Sequence, residues 1–260
     1  MNFLKYTPEF LEAVDRWDGI MSAPSKESRK NINGIQVLAS PFLEKYFGTA
    51  HWVTPAVWFV PVIGLLLYWT YQNPIIGLGL GSALFAAGIL LWTLIEYLLH
   101  RYVFHASPGK SHNSKVQIFI THGYHHEFTN DPWRLVAPPV MSWTIGAAVV
   151  ALYYLVFGAN YYAPLFAGTC LGYIAYDWIH YYTHHARPKT AVGKFLRRYH
   201  MEHHFKDPTT HFGLSSPLWD LVFGTYSRPT EPTKEELEIA GTTSASKHSH
   251  RARTQAQAAS

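Results

Sequence analysis

The chain has 260 residues, a formal charge of +4 and 16% Trp, Tyr and Phe, which is long enough for a single domain and more aromatic than an ordinary soluble fold. Its one cysteine, Cys170, sits in an apolar run, which excludes a disulfide framework and a thiolate metal site and marks it as a small core residue. Lys and Arg are scattered, with no basic stripe interleaved with aromatics, which excludes nucleic acid as a partner.

The near-zero mean hydropathy averages polar ends with very apolar middle segments, so a windowed reading is needed. Residues 1–50 mix acids with apolar residues and contain no long apolar h-region. They read as a cytosolic N-terminal segment, amphipathic or peripheral, without a cleavable signal peptide. A first membrane span is predicted over 52–71, uncharged, with Pro61 tolerable as a kink. After the turn residues Gln72, Asn73 and Pro74 a second span runs over 75–99. Its Gly77, Gly79, Gly81 and Gly88 would let membrane helices approach closely. Two further spans are predicted over 139–157 and 161–181, joined by the short link Gly158, Ala159, Asn160.

The two short turns carry no Lys or Arg. Lys45 precedes the first span, Arg101, Lys110, Lys115 and Arg134 fill the second connection, and Arg187, Lys189, Lys194, Arg197 and Arg198 follow the fourth. The excess of positive charge puts these regions, and both termini, in the cytosol. From residue 230 to 260 the composition cannot bury a core, and a disordered tail is expected. The fold class is therefore all-α: a multi-pass integral membrane protein with four transmembrane helices and a cytosolic helical cap.

Fourteen of the sixteen histidines precede the tail, and most fall at the cytosolic edge of the spans. Eleven form four clusters: His100 and His105; His122, His125 and His126; His180, His184 and His185; His200, His203 and His204. Positions i, i+3 and i+4 share a helix face, so each of the last three clusters can aim two or three imidazoles at one point. The first does not fit that rule: five residues swing the side chain around the helix, which calls for a helix end near Arg101 or for two different metals. Clustered imidazoles read as a metal site, suited to zinc, copper, iron or nickel. His51, His112, His248 and His250 read as isolated polar tips. Glu96, Asp177 and Glu202 lie beside the clusters and are candidate acceptors for the outer N–H of bound imidazoles.

With EYLLHRYVFH, HGYHHEFTNDPWRLVAPP, YDWIHYYTHH and YHMEHHF followed by HFGLSSPLWDLVFGTY in this order, the chain resembles the fatty acid hydroxylase family. Within that family it is most similar to the 2-hydroxylases of sphingolipid acyl chains, on the strength of the Arg134-Leu135-Val136-x-Pro138-Pro139 element. The resemblance spans nearly all of residues 51–229, the expected catalytic domain. It implies two iron ions, with zinc able to take their place in a purified protein, and O2 as co-substrate. As ligands it implies His100, His105, His122, His125, His126, His180, His184, His200, His203 and His204. His185 is a further candidate that the doubled histidine leaves open, and His211 is not expected to bind metal.

The resemblance further implies hydroxylation of a fatty acid or ceramide acyl group at C2, with a lipid substrate taken from the membrane. Tyr124, Phe128, Trp133 and Trp219 are candidates either for lining its access or for interfacial anchoring. No haem-binding segment precedes the first span, so electrons are expected from a separate donor, cytochrome b5 or ferredoxin with its reductase. The membrane would be the endoplasmic reticulum in a eukaryote and the inner membrane in a bacterium. A lipid desaturase or sterol oxidase would use the same histidines, and a zinc-binding scaffold would lack turnover. A transporter would instead hold its ligands near the bilayer midplane.

Overall fold

The computed structural model describes residues 5–25, 28, 34–231, 233 and 234. The tail expected from residue 230 falls almost wholly outside the described residues, and His248 and His250 with it. The fold is helical, with an isolated bridge between Tyr6 and Leu38 and no strand among the described residues.

Helix α1 (Pro8–Arg16) starts where Thr7 accepts from the Phe10 amide and Pro8 takes a position whose N–H would be unsatisfied anyway. It is amphipathic, and its apolar face is covered by protein: Phe10, Val14 and Trp17 pack with Phe119, Tyr124 and Phe128. The single turn α2 (Pro41–Leu43) carries Ser40 as its N-cap. Two long apolar helices follow, α3 (Thr54–Gln72) and α4 (Leu78–Leu98). Beyond Leu98, α4 continues as a π-helical turn over Leu99–Phe104. The cap contains α5 (His112–Ile118), another π turn over Phe119–Gly123, and α6 (Tyr124–Glu127).

The run α7 (Pro139–His185) has 47 residues, about 70 Å if straight, against a hydrocarbon core of about 30 Å. It is not straight. Gly158 has φ 78° and ψ 172°, a conformation open to glycine, and the chain folds back there. The Tyr153 hydroxyl meets Thr169 Oγ1 at 3.1 Å, and the Tyr154 and Tyr162 rings lie 5.5 Å apart. The link expected at 158–160 is thus reduced to one residue, because a single positive-φ glycine reverses direction without interrupting the helical hydrogen bonding on either side.

The arms of α7 pack against α3 and α4 around Phe59, Trp92, Phe166 and Tyr173. Outward, Leu65, Leu78, Leu155 and Val156 stay largely exposed, the surface of helices meant for lipid. Three runs are long and apolar enough to cross a membrane: Thr54–Gln72, Leu78–Phe104 and Pro139–His185. Below them α8 (Ala191–Phe205) is capped by Thr190 and buries its histidine face, and α9 (Leu218–Phe223) ends on Gly224 in the left-handed region.

Candidate metal centre

The helix ends bring ten imidazoles together in two groups, His100, His105, His122, His126 and His203 in one and His125, His180, His184, His200 and His204 in the other. Within each group the candidate ligand atoms lie within 4.8 Å of one another. The groups abut, with the His126 and His204 rings 4.3 Å apart.

The π turn explains the cluster that helical spacing could not. His105 N–H bonds the His100 carbonyl at 3.1 Å, an i to i+5 bond, so two residues five apart return to one face. Neither a helix end at Arg101 nor two different metals is needed: both rings join the first group. Two of the other three clusters divide. In His122, His125 and His126 the i, i+4 pair goes to the first group and His125 to the second. In His200, His203 and His204 the pair goes to the second group and His203 to the first. Each HxxHH cluster therefore bridges both groups, a consequence of the offset between i+3 and i+4 directions on a helix, whereas His180 and His184 both join the second.

Nε2 atoms face each other at 3.1 Å for His100 and His122, 3.0 Å for His105 and His203, 2.9 Å for His125 and His180, and 2.8 Å for His184 and His200. His200 Nε2 also meets His204 Nε2 at 3.0 Å. Burial, then the neighbouring imidazoles, hold His122, His126, His200 and His204 well below the ordinary pKa of 6.5; burial does the same first for His125 and His203. The rings are neutral, the ligand form. A neutral ring has one N–H, so His200 Nε2 cannot serve two imidazole nitrogens while its Nδ1 has no partner among the described residues, and both nitrogens of buried His126 lack one there as well. Converging lone pairs at these spacings fit a cation with metal–nitrogen bonds near 2.0–2.1 Å in each group.

Two of the three expected carboxylate acceptors bond elsewhere. Glu96 accepts from the Ser215 amide at 2.8 Å and from its hydroxyl, while His100 Nδ1 bonds the Phe212 carbonyl at 2.7 Å. Asp177 Oδ2 and His180 Nδ1 have no hydrogen-bond partner among the described residues. Glu202 accepts from the Thr230 amide at 2.8 Å, and His203 Nδ1 bonds the Thr210 carbonyl at 2.6 Å. Behind His100 and His203, backbone carbonyls, which leave no signature in a sequence, stand where Glu96 and Glu202 were expected. His185 stands outside both groups with its ring 4.6 Å from that of Tyr181. His211 also lies outside them, buried against Tyr199. His51 stacks near Trp52 and Trp133, and His112 faces Asp15 at 3.4 Å.

An apolar cavity of about 740 Å³ opens against His122, His125 and His180 and runs between α3, α4 and the arms of α7, past Trp92, Phe59, Gly146 and Phe166. Cys170 lies on its wall. The segment ahead of α3 contributes Tyr6, Val37 and Leu43 to its wall. Of the four aromatics considered for lipid access, Tyr124 alone is on this wall. Phe128 is in the core beneath α1, the Trp133 ring lies tilted 5.6 Å from that of His51, and Trp219 donates to Thr93 Oγ1 at 2.9 Å.

Fold and site define a class: helical membrane proteins with two adjoining polyhistidine groups at the inner end of an apolar cavity. The model of the fatty acid hydroxylase family matches residues 85–225. A dihydroceramide fatty acyl 2-hydroxylase of Arabidopsis thaliana is 36% identical over 214 residues, 78% of this chain and 84% of that protein. A ceramide very long chain fatty acid hydroxylase of Saccharomyces cerevisiae is also 36% identical, over 76% of this chain and 51% of the yeast protein. The fatty acid 2-hydroxylase of Rattus norvegicus is 34% identical over 74% and 56%. The chain thus spans about half the length of the yeast and rat proteins. A solved structure of full-length scs7p, with only the hydroxylase domain visible, superposes with a TM-score of 0.71 at 31% identity, covering 86% of this chain and 85% of that one. The chain belongs to the fatty acid hydroxylase family, and it is an oxidoreductase of the fatty acid 2-hydroxylase type.

Proposed function

We propose that this protein hydroxylates a membrane-lipid acyl chain at C2, taking a fatty acid or a ceramide acyl group as substrate and consuming O2 and two electrons from a separate donor protein such as cytochrome b5 or ferredoxin. The observation that carries the reading is the cavity: an apolar slot of about 740 Å³ whose wall includes His122, His125 and His180 from both imidazole groups. Drug-sized and lipid-sized ligands occupy cavities of this scale.

Ten histidines, five per ion, would hold two iron ions, and these ions when bound would supply the oxygen activation that acid–base side chains cannot. The protein's own part is positioning and exclusion of water. Phe59, Trp92 and Phe166 enclose the alkyl chain, while Tyr124, Leu135 and Val136 narrow the slot near the imidazoles. A carbon near the chain's polar end is thereby held at the centre. Catalysis needs residues 51–229 together with the preceding segment, whose Val37 and Leu43 line the slot.

In this reading α3, α4 and the two arms of α7 are four membrane spans. The cluster of Lys and Arg at the histidine end supports a cytosolic centre with cytosolic termini. In a eukaryotic host the location would be the endoplasmic reticulum, and in a bacterium the inner membrane.

Lipid mass spectrometry on cells expressing the chain, with His125→Ala and His203→Ala at equal abundance, tests this. The expected product is one oxygen heavier, oxidised at C2 and absent from both variants. New double bonds would turn the assignment to a desaturase. Unchanged lipids alongside a competent donor would overturn it.

A further inference from the structure

The two imidazole groups differ in what stands behind them. In the first, two rings are tied to backbone: His100 Nδ1 to the Phe212 carbonyl at 2.7 Å and His203 Nδ1 to the Thr210 carbonyl at 2.6 Å. In the second, Nδ1 of His180, His184, His200 and His204 is buried and has no protein partner among the described residues. The two carbonyls belong to the residues flanking His211, the one described non-glycine residue with positive φ, at 59°.

That turn is held from all sides. His211 N–H donates to the Thr225 carbonyl at 3.1 Å, its Nε2 meets the Ser227 carbonyl at 2.8 Å, and its ring lies 4.2 Å from that of Tyr199. On the far side, buried Asp220 accepts from the Phe212 and Gly213 amides at 2.9 and 2.7 Å. A Cβ on Gly213 would stand 2.3 Å from the Ser216 carbonyl, so no larger residue fits there. A left-handed non-glycine residue persists only where its surroundings over-determine it. Here the outcome is that residues 210 and 212 present their carbonyls to two imidazoles of one group.

Such a carbonyl keeps the proton on Nδ1, frees the Nε2 lone pair and fixes the ring plane, effects worth 10–100-fold in metal affinity. We propose that His211 is a positioning residue that clamps the first group through Thr210 and Phe212, so that the two groups bind metal unequally and the second, unclamped group releases its ion first. The proposal rests on reading both groups as metal sites.

The test uses the full chain in detergent micelles, loaded with zinc(II) and titrated with a competing chelator, reading metal per chain by plasma mass spectrometry. Wild type should lose its two ions in separate steps, roughly 10-fold or more apart. His184→Ala should abolish the weaker step and leave the tighter; His105→Ala should do the reverse. His211→Val, a β-branched residue that resists positive φ, should weaken the tighter step 10–100-fold and leave the weaker unchanged. His211→Asn, which tolerates that conformation, should stay near wild type. Loss of both ions at one affinity, assignment of the tight step to His184, or equal weakening of both steps by a folded His211→Val protein would overturn the proposal. If the Val variant does not fold, the two alanine variants decide the matter. A wild-type chain that takes up no zinc would instead overturn the metal reading beneath it.

Discussion

Gly88 of α4 and Gly168 of α7 meet backbone to backbone. A Cβ built on Gly168 would lie 3.1 Å from the Gly88 Cα and 2.0 Å from the Phe85 carbonyl oxygen, and one on Gly88 would lie 2.0 Å from that of Leu165. Small residues at a crossing are how membrane helices pack without a hydrophobic driving force between them. Gly88→Val and Gly168→Val should each cost about 3 kcal/mol or more and yield little monodisperse protein in size-exclusion chromatography. Gly79→Val, at a position with no neighbour within 4 Å, should behave as wild type. Equal behaviour of the three variants would refute the crossing.

The doubled histidine at 184 and 185 divides by direction, one ring in the second group and the other against Tyr181. His184→Ala should lower bound metal by about one ion per chain, since removing a ligand disrupts its site, and should abolish lipid oxidation. His185→Ala should keep both ions and most of the activity. Metal analysis beside product analysis reads the difference, and metal loss from the His185 variant would count against the division.

The depth of the cavity sets which acyl chains fit. Gly146 lines it, and a Cβ there would meet the Phe166 and Phe59 rings at 3.7 and 3.8 Å, ordinary contact with room beyond. Gly146→Leu should fill the part beside Phe59 and Phe166 and shift hydroxylated products toward shorter chains, with total turnover of short substrates kept within a few-fold, as methylene-scale pocket changes are worth about 1–3 kcal/mol. Chain-length profiles by lipid mass spectrometry check this. An unchanged profile would mean that acyl chains lie elsewhere.

Because burial holds His122, His125, His126, His200, His203 and His204 below the ordinary 6.5, the folded metal-free protein stays neutral at these positions while the unfolded chain takes up protons as pH falls. The unfolded state then binds more protons, so stability is fully present above about pH 6.5 and is lost below it, by up to about 1.4 kcal/mol per pH unit for each such histidine. The metal-free protein should melt at clearly lower temperature at pH 5.5 than at pH 7.5. A melting temperature that rose on acidification would contradict the burial of neutral rings.

Arg134 pairs with Asp131 at 2.8 Å and with Glu44, tying the segment ahead of α3 to the cap, while Glu44 also accepts from the Val37 and Leu38 amides. All three side chains are at most 14% exposed. Arg134→Leu leaves two carboxylates behind and should cost about 3–5 kcal/mol. Thermal unfolding would reveal it, and restoring stability with Glu44→Gln in the same chain would locate the cost at this pair.

The sequence by itself determined the helical membrane class, four clusters of histidine and the chemistry they point to, because hydropathy and imidazole spacing are local properties. It could say that glycines in α4 would allow close packing; only the tertiary structure selected Gly88, because that depends on where α7 crosses. The π turn that gathers His100 and His105, the sharing of each HxxHH cluster between two groups, and the separation of His184 from His185 also depended on the fold. The first needed the π bonding of the backbone and the others the placement of the partner helices, neither of which a spacing rule contains. The largest departure concerned Glu96 and Glu202. Sequence proximity suggested carboxylates behind the imidazoles, whereas chain reversal at His211 brings in the carbonyls of Thr210 and Phe212, groups common to every residue and therefore visible only once the backbone is placed.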